Sequence, residues 1–251
     1  MALVKELAHW GLRQLRSCIP RIQPTNRFQA MDETIRLLRR FGYSPRVVVD
    51  GGANVGSWAQ LVCSIFPTAE VHLIEPQPEC HRALVQLVHR NPNLVYHPVA
   101  VTEPEIAQVR MIGGGQEGGG TGAWVARAWE TLPDERVCPA TTLDALLAER
   151  VTRADRAFLK LDLEGHEVTA LRGAEQLLQV VEVILTELQF YEVNDNKFPV
   201  FTDVLNFLSH RGFALYDFAC LSPRPRDMRL RMGDVVFVRQ DSPLWTDRSW
   251  V

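Results

Sequence analysis

Residues 50–56 place an acid and three glycines in one short stretch, DGGANVG. They follow RVVV at positions 46–49, a β-branched run typical of a buried parallel strand. Glycines after such a strand let the backbone approach a ligand closely, and the helix that follows offers free N–H groups. This spacing predicts a small-molecule site between a strand and a helix.

Two residues of this stretch favour a sulfonium cofactor over a dinucleotide. Ala53 stands where the dinucleotide fingerprint needs glycine. Asp50 puts a negative charge at the end of the strand, which repels a pyrophosphate and attracts the cationic methionine part of S-adenosylmethionine. We therefore predict S-adenosylmethionine as the cofactor. The predicted contacts in this stretch are Asp50, Gly51, Gly52, Ala53, Asn54 and Gly56.

Glu75 lies at the end of the next strand-like run, twenty-five positions beyond Asp50. In folds that alternate strands and helices, a carboxylate at this place hydrogen-bonds the ribose hydroxyls of the cofactor. The alternative is a cap on the helix that begins near Pro78, whose first turn has free N–H donors. Because the loop and the acid occupy matching strand ends, we expect Glu75 and its neighbour Pro76 to bind the cofactor.

Asp162 and Glu187 stand at the ends of two later strand-like runs, at 157–161 and 181–188. Ligands of a doubly wound sheet lie beyond the carboxyl ends of its strands, so both acids should converge on the transferred methyl group. A methylated hydroxyl must be aligned and relieved of its proton. Asp162, which should also contact the cofactor, is the first candidate for the general base. The alternative is a helix cap, which asparagine would provide nearly as well.

Three side chains near these acids have two interpretations each. His166 is either a catalytic residue or a surface residue on the first turn of a helix. Lys160, inside a strand, either takes part in catalysis or pairs with an acid. Gln189, together with Asp162 and Glu187, would offer oxygen donors suited to Mg²⁺. Because this pattern has no obvious third acid, we favour a general base over a metal and leave the identity of any metal open.

Alternating hydrophobic runs predict the framework that holds these residues. Predicted helices cover 31–40, 56–66, 78–89, 143–149, 164–178 and 200–211, and predicted strands cover 46–50, 70–74, 94–97, 108–112, 157–161, 181–188, 213–218 and 234–239. The last two strands, joined by a short connection over 219–233, should form an antiparallel pair at the edge of the sheet.

This order is typical of an α/β fold with a Rossmann-like, doubly wound sheet that is mostly parallel. We expect one domain over residues 46–251 and a helical extension over 1–45. The less regular stretch at about 99–155 is interpreted as an insertion or cap. With 251 residues, 46% of them hydrophobic, the chain is long enough for one full core.

The overall charge argues against nucleic acid as a partner, because a formal net charge of −3 provides no basic field to gather phosphates. Five cysteines without a CxxC pair fit a reducing compartment, and no apolar stretch is long enough to span a bilayer. We expect a soluble, cytoplasmic protein without an integral membrane segment. The expected partner is a small-molecule or glycan acceptor, and assembly into a homo-oligomer stays open.

Four further features allow a functional and a structural interpretation. The glycine-rich residues 113–120 form either a lid over the substrate or a surface loop. An amphipathic pattern within residues 3–15 predicts a helix that docks on its own domain, on a membrane or on a partner. A basic cluster either holds an anionic substrate group or is a solvated connection; it consists of Arg224, Arg226, Arg229 and Arg231. Three aromatic residues either line a sugar site or pack in the core; they are Trp124, Trp129 and Tyr191.

Four pieces of the chain, between residues 47 and 237, resemble the FkbM family of methyltransferases. They are VVVDGGANVGSWA, HLIEPQP, the PATTLDALL segment from Pro139, and FLKLDLEGHEVTALRGA from Phe158, which is the most specific. Such proteins are class I methyltransferases, and those characterised mostly methylate hydroxyls on sugars or secondary metabolites. The resemblance therefore implies S-adenosylmethionine-dependent O-methylation here.

Two other functions are carried as alternatives. A nicotinamide-dependent oxidoreductase is disfavoured by Ala53 in the fingerprint and by the charge of Asp50. A non-catalytic cofactor-binding protein is disfavoured by the presence of Asp162, Glu164 and Glu187.

Overall fold

The computed structural model describes residues 27–113, 122–126, 135–192 and 198–247, and strands alternate with helices along them. The helices are α1 (Arg27–Arg40), α2 (Ser57–Ile65), α3 (Pro78–Arg90), α4 (Leu143–Leu147), α5 (Glu167–Arg172) and α6 (Phe201–Ser209). The strands are β1 (Val47–Gly51), β2 (Glu70–Ile74), β3 (Leu94–His97), β4 (Ala100–Val101), β5 (Gln108–Ile112), β6 (Trp124–Val125), β7 (Arg136–Thr141), β8 (Phe158–Leu161), β9 (Val183–Gln189), β10 (Phe213–Pro223) and β11 (Leu230–Arg239).

Seven strands form the central sheet in the order β10, β11, β9, β8, β1, β2, β3. Strand β1 is parallel to both β2 and β8, and β8 is parallel to β9. Strand β11 is antiparallel to β9 and to β10. The sheet is therefore mostly parallel with an antiparallel pair at its edge, which confirms the predicted Rossmann-like α/β class.

Helices cover both faces of this sheet. Helices α1, α2 and α3 pack on one face, where Ile35, Val62 and Leu84 are buried. Helices α4, α5 and α6 pack on the other face. Adjacent strand residues point to opposite faces, so Val48 joins the first core and Val49 the second. This three-layer arrangement explains why the central strands are mostly apolar.

The direction of winding reverses between β1 and β8. Strands β2 and β3 extend the sheet on one side of β1, and β8 and β9 extend it on the other. The carboxyl ends of β1 and β8 therefore open the crevice in which sheets of this type bind ligands. Residues 50–56 and Asp162 lie at this crevice.

Within residues 100–141, four strands form a second sheet in the order β4, β7, β5, β6. It has a small core of its own that includes Val109, Met111 and Cys138. Strands β4, β6 and β7 were not predicted from the sequence, because β4 and β6 have only two residues each and Pro139 weakens the strand pattern of β7. Helix α4, in contrast, packs into the core of the main sheet.

Two predicted segments were wrong in extent. The helix predicted over 164–178 is reduced to α5, because Glu164 and Gly165 adopt positive φ angles of 51° and 96° that a helix does not allow. The connection predicted over 219–233 is mostly strand, since β10 and β11 continue their pairing through several register shifts. Gly212, which follows α6, has a φ of 83°, the left-handed conformation in which glycine commonly ends a helix.

Three predicted features lie outside the described residues: the amphipathic helix within 3–15, most of the glycine-rich stretch at 113–120, and Trp129. Within the described ranges, none of the helices combines the length and the apolarity that a bilayer crossing requires.

Candidate active site

The glycine loop, residues 52–56, connects β1 to α2 and lies directly against the end of β8. Gly52 and Gly56 have φ angles of 76° and 82°, a left-handed conformation that glycine adopts without steric cost. A Cβ atom on Gly52 would lie 2.0 Å from the backbone oxygen of Asp162. Glycine at position 52 therefore lets two strand ends come close enough to share one site.

Glu75, at the end of β2, holds this loop through its carboxylate. Oε2 accepts a hydrogen bond from the backbone N–H of Asn54 at 2.8 Å, and Oε1 accepts one from that of Gln77 at 3.0 Å. The side chain is almost fully buried, and burial raises its pKa. Gln77 is the N-cap of α3, so Glu75 contacts the cap residue and not the free donors of the first turn. Each oxygen keeps a lone pair that a ribose hydroxyl can use.

Lys160 is a buried cation that joins β8 to the end of β1. Its Nζ lies 2.9 Å from Oδ1 of Asp50 and donates to the backbone oxygens of Gly52 at 2.9 Å and Gly51 at 3.3 Å. Burial lowers the pKa of Lys160, but the carboxylates of Asp50 and Asp162 outweigh burial and raise it. These contacts match the ion-pair interpretation of Lys160. Direct catalysis by this residue stays a prediction.

A first cavity, of about 400 Å³, opens between the glycine loop and the end of β8. Its volume falls in the range of small-molecule sites. Six of the predicted cofactor contacts line it, namely Gly52, Ala53, Asn54, Glu75, Pro76 and Asp162.

The other three predicted cofactor contacts do not line the first cavity. Asp50 is fully buried and its charge is taken up by Lys160, so the structure does not provide the expected direct attraction between Asp50 and a cationic methionine. Gly51 is the last residue of β1. Gly56 packs toward α3, where a Cβ atom would meet Leu87. These three residues support the loop on the side away from the first cavity.

Three carboxylates from neighbouring strands meet beside the first cavity, and we call them the acid cluster. Asp162 follows β8, Glu187 lies on β9, and Asp234 lies on β11 opposite Glu187. They surround Nη2 of Arg27, the first residue of α1, at 3.0, 2.5 and 2.7 Å respectively. The structure thus brings the two predicted acids together and adds Arg27 and Asp234, which the sequence analysis missed.

A signal for Asp234 was present in the sequence. Asp234 starts the last predicted strand, and the amino end of an antiparallel strand lies at the same sheet edge as the carboxyl ends of the parallel strands. Arg27 had no comparable signal, because 135 positions separate it from Asp162.

The carboxyl groups of Asp162 and Glu187 interact directly, so each affects the pKa of the other. Burial opposes ionisation of Asp162, but Lys160 and Arg27 outweigh burial and lower its pKa. Burial and the charge of Asp162 raise the pKa of Glu187 to about 9. Asp162 is therefore the anion of the pair at neutral pH, and Glu187 carries the proton.

His166 lies between the first cavity and a second cavity of about 630 Å³, which also share Val125 and Glu164. Its Nε2 lies 3.2 Å from Oγ1 of Thr102. Burial lowers the pKa of His166 to about 4, so the ring is neutral at pH 7. His166 is thus enclosed at the junction of two cavities, and its part in catalysis stays a prediction.

A divalent metal does not fit the acid cluster as it stands, since Nη2 of Arg27 occupies its centre. Gln189, the other oxygen donor considered, makes no hydrogen bond to the cluster in the described part of the chain. Across the same residues, no group of three or more His, Cys, Asp and Glu side chains is arranged to hold a metal ion. The arrangement therefore gives no support to the Mg²⁺ interpretation.

The four arginines of the predicted basic cluster are not among the residues that line the two cavities, although the charge of Arg231 reaches Glu164, which lines both. Arg224 hydrogen-bonds Asp227 at the turn between β10 and β11, and the guanidinium of Arg229 lies 4.0 Å from the ring centroid of Tyr191. Neither Tyr191 nor Trp124 is among the residues that line the two cavities. In the described part of the chain, neither Tyr191 nor Trp124 therefore forms the predicted apolar wall for a sugar.

The sequence of residues 50–215 matches the family described as the methyltransferase FkbM domain. No curated protein matches the chain.

The solved structures to which the chain is similar have low sequence identity to it. The methyltransferase FkbM from Methylobacillus flagellatus KT is 16% identical over 78% of this chain, with a TM-score of 0.46. The chain covers only 43% of that protein. Fibrillarin from Aeropyrum pernix, in complex with natively bound S-adenosyl-L-methionine, is 14% identical over 84% of this chain and 76% of its own, with a TM-score of 0.47. Precorrin-6y C5,15-methyltransferase from Geobacter metallireducens is 12% identical over 87% and 91%, with a TM-score of 0.46.

Replacing Lys160 with Met should destabilise the fold strongly, because Asp50 then stays buried without a partner. Removing one member of a buried ion pair typically costs about 3–5 kcal/mol. Chemical denaturation of Lys160→Met, Asp50→Asn and the double variant would measure the effect, and the double variant should be more stable than Lys160→Met alone. Additive effects of the two single substitutions would contradict a structural pair.

The free energy of unfolding should fall from pH 5 to pH 9 in the wild type relative to Glu187→Gln. The folded pKa of Glu187, about 9, lies above the ordinary value of 4.5, so the folded protein keeps a proton that the unfolded chain has released. Stability from this group is therefore complete below the unfolded pKa and is lost as the pH rises toward 9. Urea denaturation of both proteins at pH 5, 7 and 9 would test this. A difference that does not change with pH would show that Glu187 ionises normally.

Proposed function

Because the chain belongs to the FkbM family of methyltransferases, we propose that this S-adenosylmethionine-dependent enzyme methylates a hydroxyl group on a sugar or on a secondary metabolite. The observation that carries the proposal is an anionic carboxylate, Asp162, on the wall of the first cavity, next to the residues that the two cavities share. Membership of this family argues against the alternative function, that of a nicotinamide-dependent oxidoreductase.

The first cavity is the proposed cofactor site. Glu75 would accept hydrogen bonds from the ribose hydroxyls, using the lone pairs that Asn54 and Gln77 leave free. The backbone of the glycine loop would lie against the methionine part. Asp162, on the other side of β1 from Glu75, would then lie on the side of the transferred methyl group.

The second cavity is the proposed acceptor site. It shares Val125, Glu164 and His166 with the first cavity, so a molecule in it would lie next to the cofactor. Its walls mix hydrogen-bonding and apolar side chains, which suits a carbon framework that carries hydroxyl groups. The polar ones include Thr102, Gln108, Arg110 and Thr169, and the apolar ones include Ile106, Val109 and Phe198.

S-adenosylmethionine, when bound, supplies an electrophilic methyl group. Asp162 would align the acceptor hydroxyl by accepting its hydrogen bond, and would take the proton as the oxygen bonds to the methyl carbon and the carbon–sulfur bond breaks. A carboxylate of low pKa is sufficient, because the oxygen becomes strongly acidic while it forms its third bond. Lys160 and Arg27 keep Asp162 charged, and the protonated Glu187 avoids repulsion beside it.

Two substitutions should weaken the binding of S-adenosylmethionine and of its demethylated product. Gly52→Val puts a side chain onto the Asp162 backbone, where even a Cβ atom is only 2.0 Å from the carbonyl oxygen. Glu75→Ala removes a charged acceptor and should cost about 1.5–3 kcal/mol of binding free energy. Isothermal calorimetry would measure both, with the exposed Glu149→Ala as a control that leaves affinity unchanged. Wild-type affinity in a folded Glu75→Ala protein would remove the ribose assignment.

Asp162→Asn should keep the fold and the affinity for S-adenosylmethionine but lose about 10²-fold or more in turnover, the usual contribution of a positioned acid or base. Transfer of a labelled methyl group to a panel of glycans and hydroxylated metabolites would measure turnover. Asp32→Asn, on the exposed side of α1, is the matched control. Near-normal turnover of Asp162→Asn would move the catalytic role elsewhere, with His166 as the next candidate.

A further inference from the structure

Arg27 is the cation around which the acid cluster is arranged. One nitrogen, Nη2, lies within 3.0 Å of an oxygen from each of Asp162, Glu187 and Asp234. A second nitrogen, Nε, donates to the other oxygen of Asp234 at 2.8 Å, so this pair is bidentate. A planar guanidinium suits such a site, because its donors are held in a fixed fork.

Acids from three strands that meet around one centre are oxygen donors of the kind that a hard divalent metal prefers, although as they stand these acids are not arranged to hold one. In this structure the centre is already filled by a nitrogen with hydrogen-bonding distances to all three acids. The cluster needs a cation there, since a buried carboxylate beside other acids is costly when it has no cationic partner. Only 4% of the Asp234 side chain is exposed, so water stabilises this side chain less than those of the other two acids.

The position of Arg27 is fixed by the helix that carries it. Met31, Ile35 and Leu38 of α1 are buried in the core beneath the sheet. Arg27, at the start of this helix, lines the first cavity together with Phe28 and Met31. The packing of α1 therefore buries its apolar side chains in the core and places the positive charge of Arg27 in the acid cluster.

We propose that Arg27 is the resident cation of the acid cluster, in the place that a divalent metal would need, and that it positions Asp162 in a methyl transfer that uses no metal at these acids. The positioning role rests on the proposed function, whereas the replacement of a metal by Arg27 does not.

Binding of Mn²⁺ tests the replacement without cofactor or acceptor. Wild-type protein should show no Mn²⁺ binding by calorimetry or by the electron paramagnetic resonance signal of free Mn²⁺. Arg27→Ala, which opens the centre of the cluster, should bind at least tenfold more tightly than the wild type, and Arg27→Ala combined with Asp234→Asn should lose this gain. Arg36→Ala, an exposed arginine on the same helix, should behave as the wild type. Mn²⁺ binding by the wild type, or none by folded Arg27→Ala, would overturn the proposal.

Turnover tests the positioning role. Wild-type methyl transfer should be unaffected by a chelator or by added Mg²⁺, whereas Arg27→Ala should lower kcat at least tenfold, and Arg27→Lys, which keeps the charge, should recover part of it. The pH at which kcat falls on the acid side should rise in Arg27→Ala, because Asp162 loses a neighbouring cation. Chelator-sensitive wild-type turnover would overturn the inference while the proposed function stands. If the Mn²⁺ results are as expected but no methyl transfer is found, the proposed function fails while the replacement of a metal by Arg27 stands.

Discussion

Buried charge at the carboxyl ends of β1 and β8 is the constraint on which the rest of the site depends. Asp50 and Lys160 are both buried, and neither charge is tolerated alone inside a protein. Their ion pair, together with the bonds from Lys160 to the loop carbonyls, holds β8 beside the glycine loop. The close packing of Gly52 on Asp162 follows from that, and it fixes where the carboxylate of Asp162 can lie.

The buried acids of the acid cluster are also paired with a cation, and this cation comes from outside the sheet. Helix α1 packs on one face of the sheet, and its first residue reaches over the strand ends to the three carboxylates. One helix therefore contributes both apolar side chains to the core and the charge of Arg27 to the acid cluster. Stability of that helix and the electrostatics of the site are coupled for this reason.

Different surroundings give neighbouring titratable groups different charges. Asp162 lies between two cations and stays ionised, whereas Glu187 is buried next to that anion and stays protonated. Burial keeps His166 neutral at the junction of the two cavities. The site thus presents the anion of Asp162 and a neutral hydrogen-bonding ring, a combination suited to an uncharged hydroxyl and to a cationic cofactor.

The sequence by itself determined the order of strands and helices around the sheet, the glycine loop, and the strand-end positions of Glu75, Asp162 and Glu187. These follow from hydrophobic periodicity and turn chemistry, which act over a few to about twenty neighbouring residues. Only the tertiary structure decided that Asp50 faces Lys160 and that Arg27 and Asp234 complete the acid cluster. The Arg27 contacts join residues 135 and 207 positions apart, and such pairs depend on how α1 packs across the assembled sheet, which no local pattern encodes.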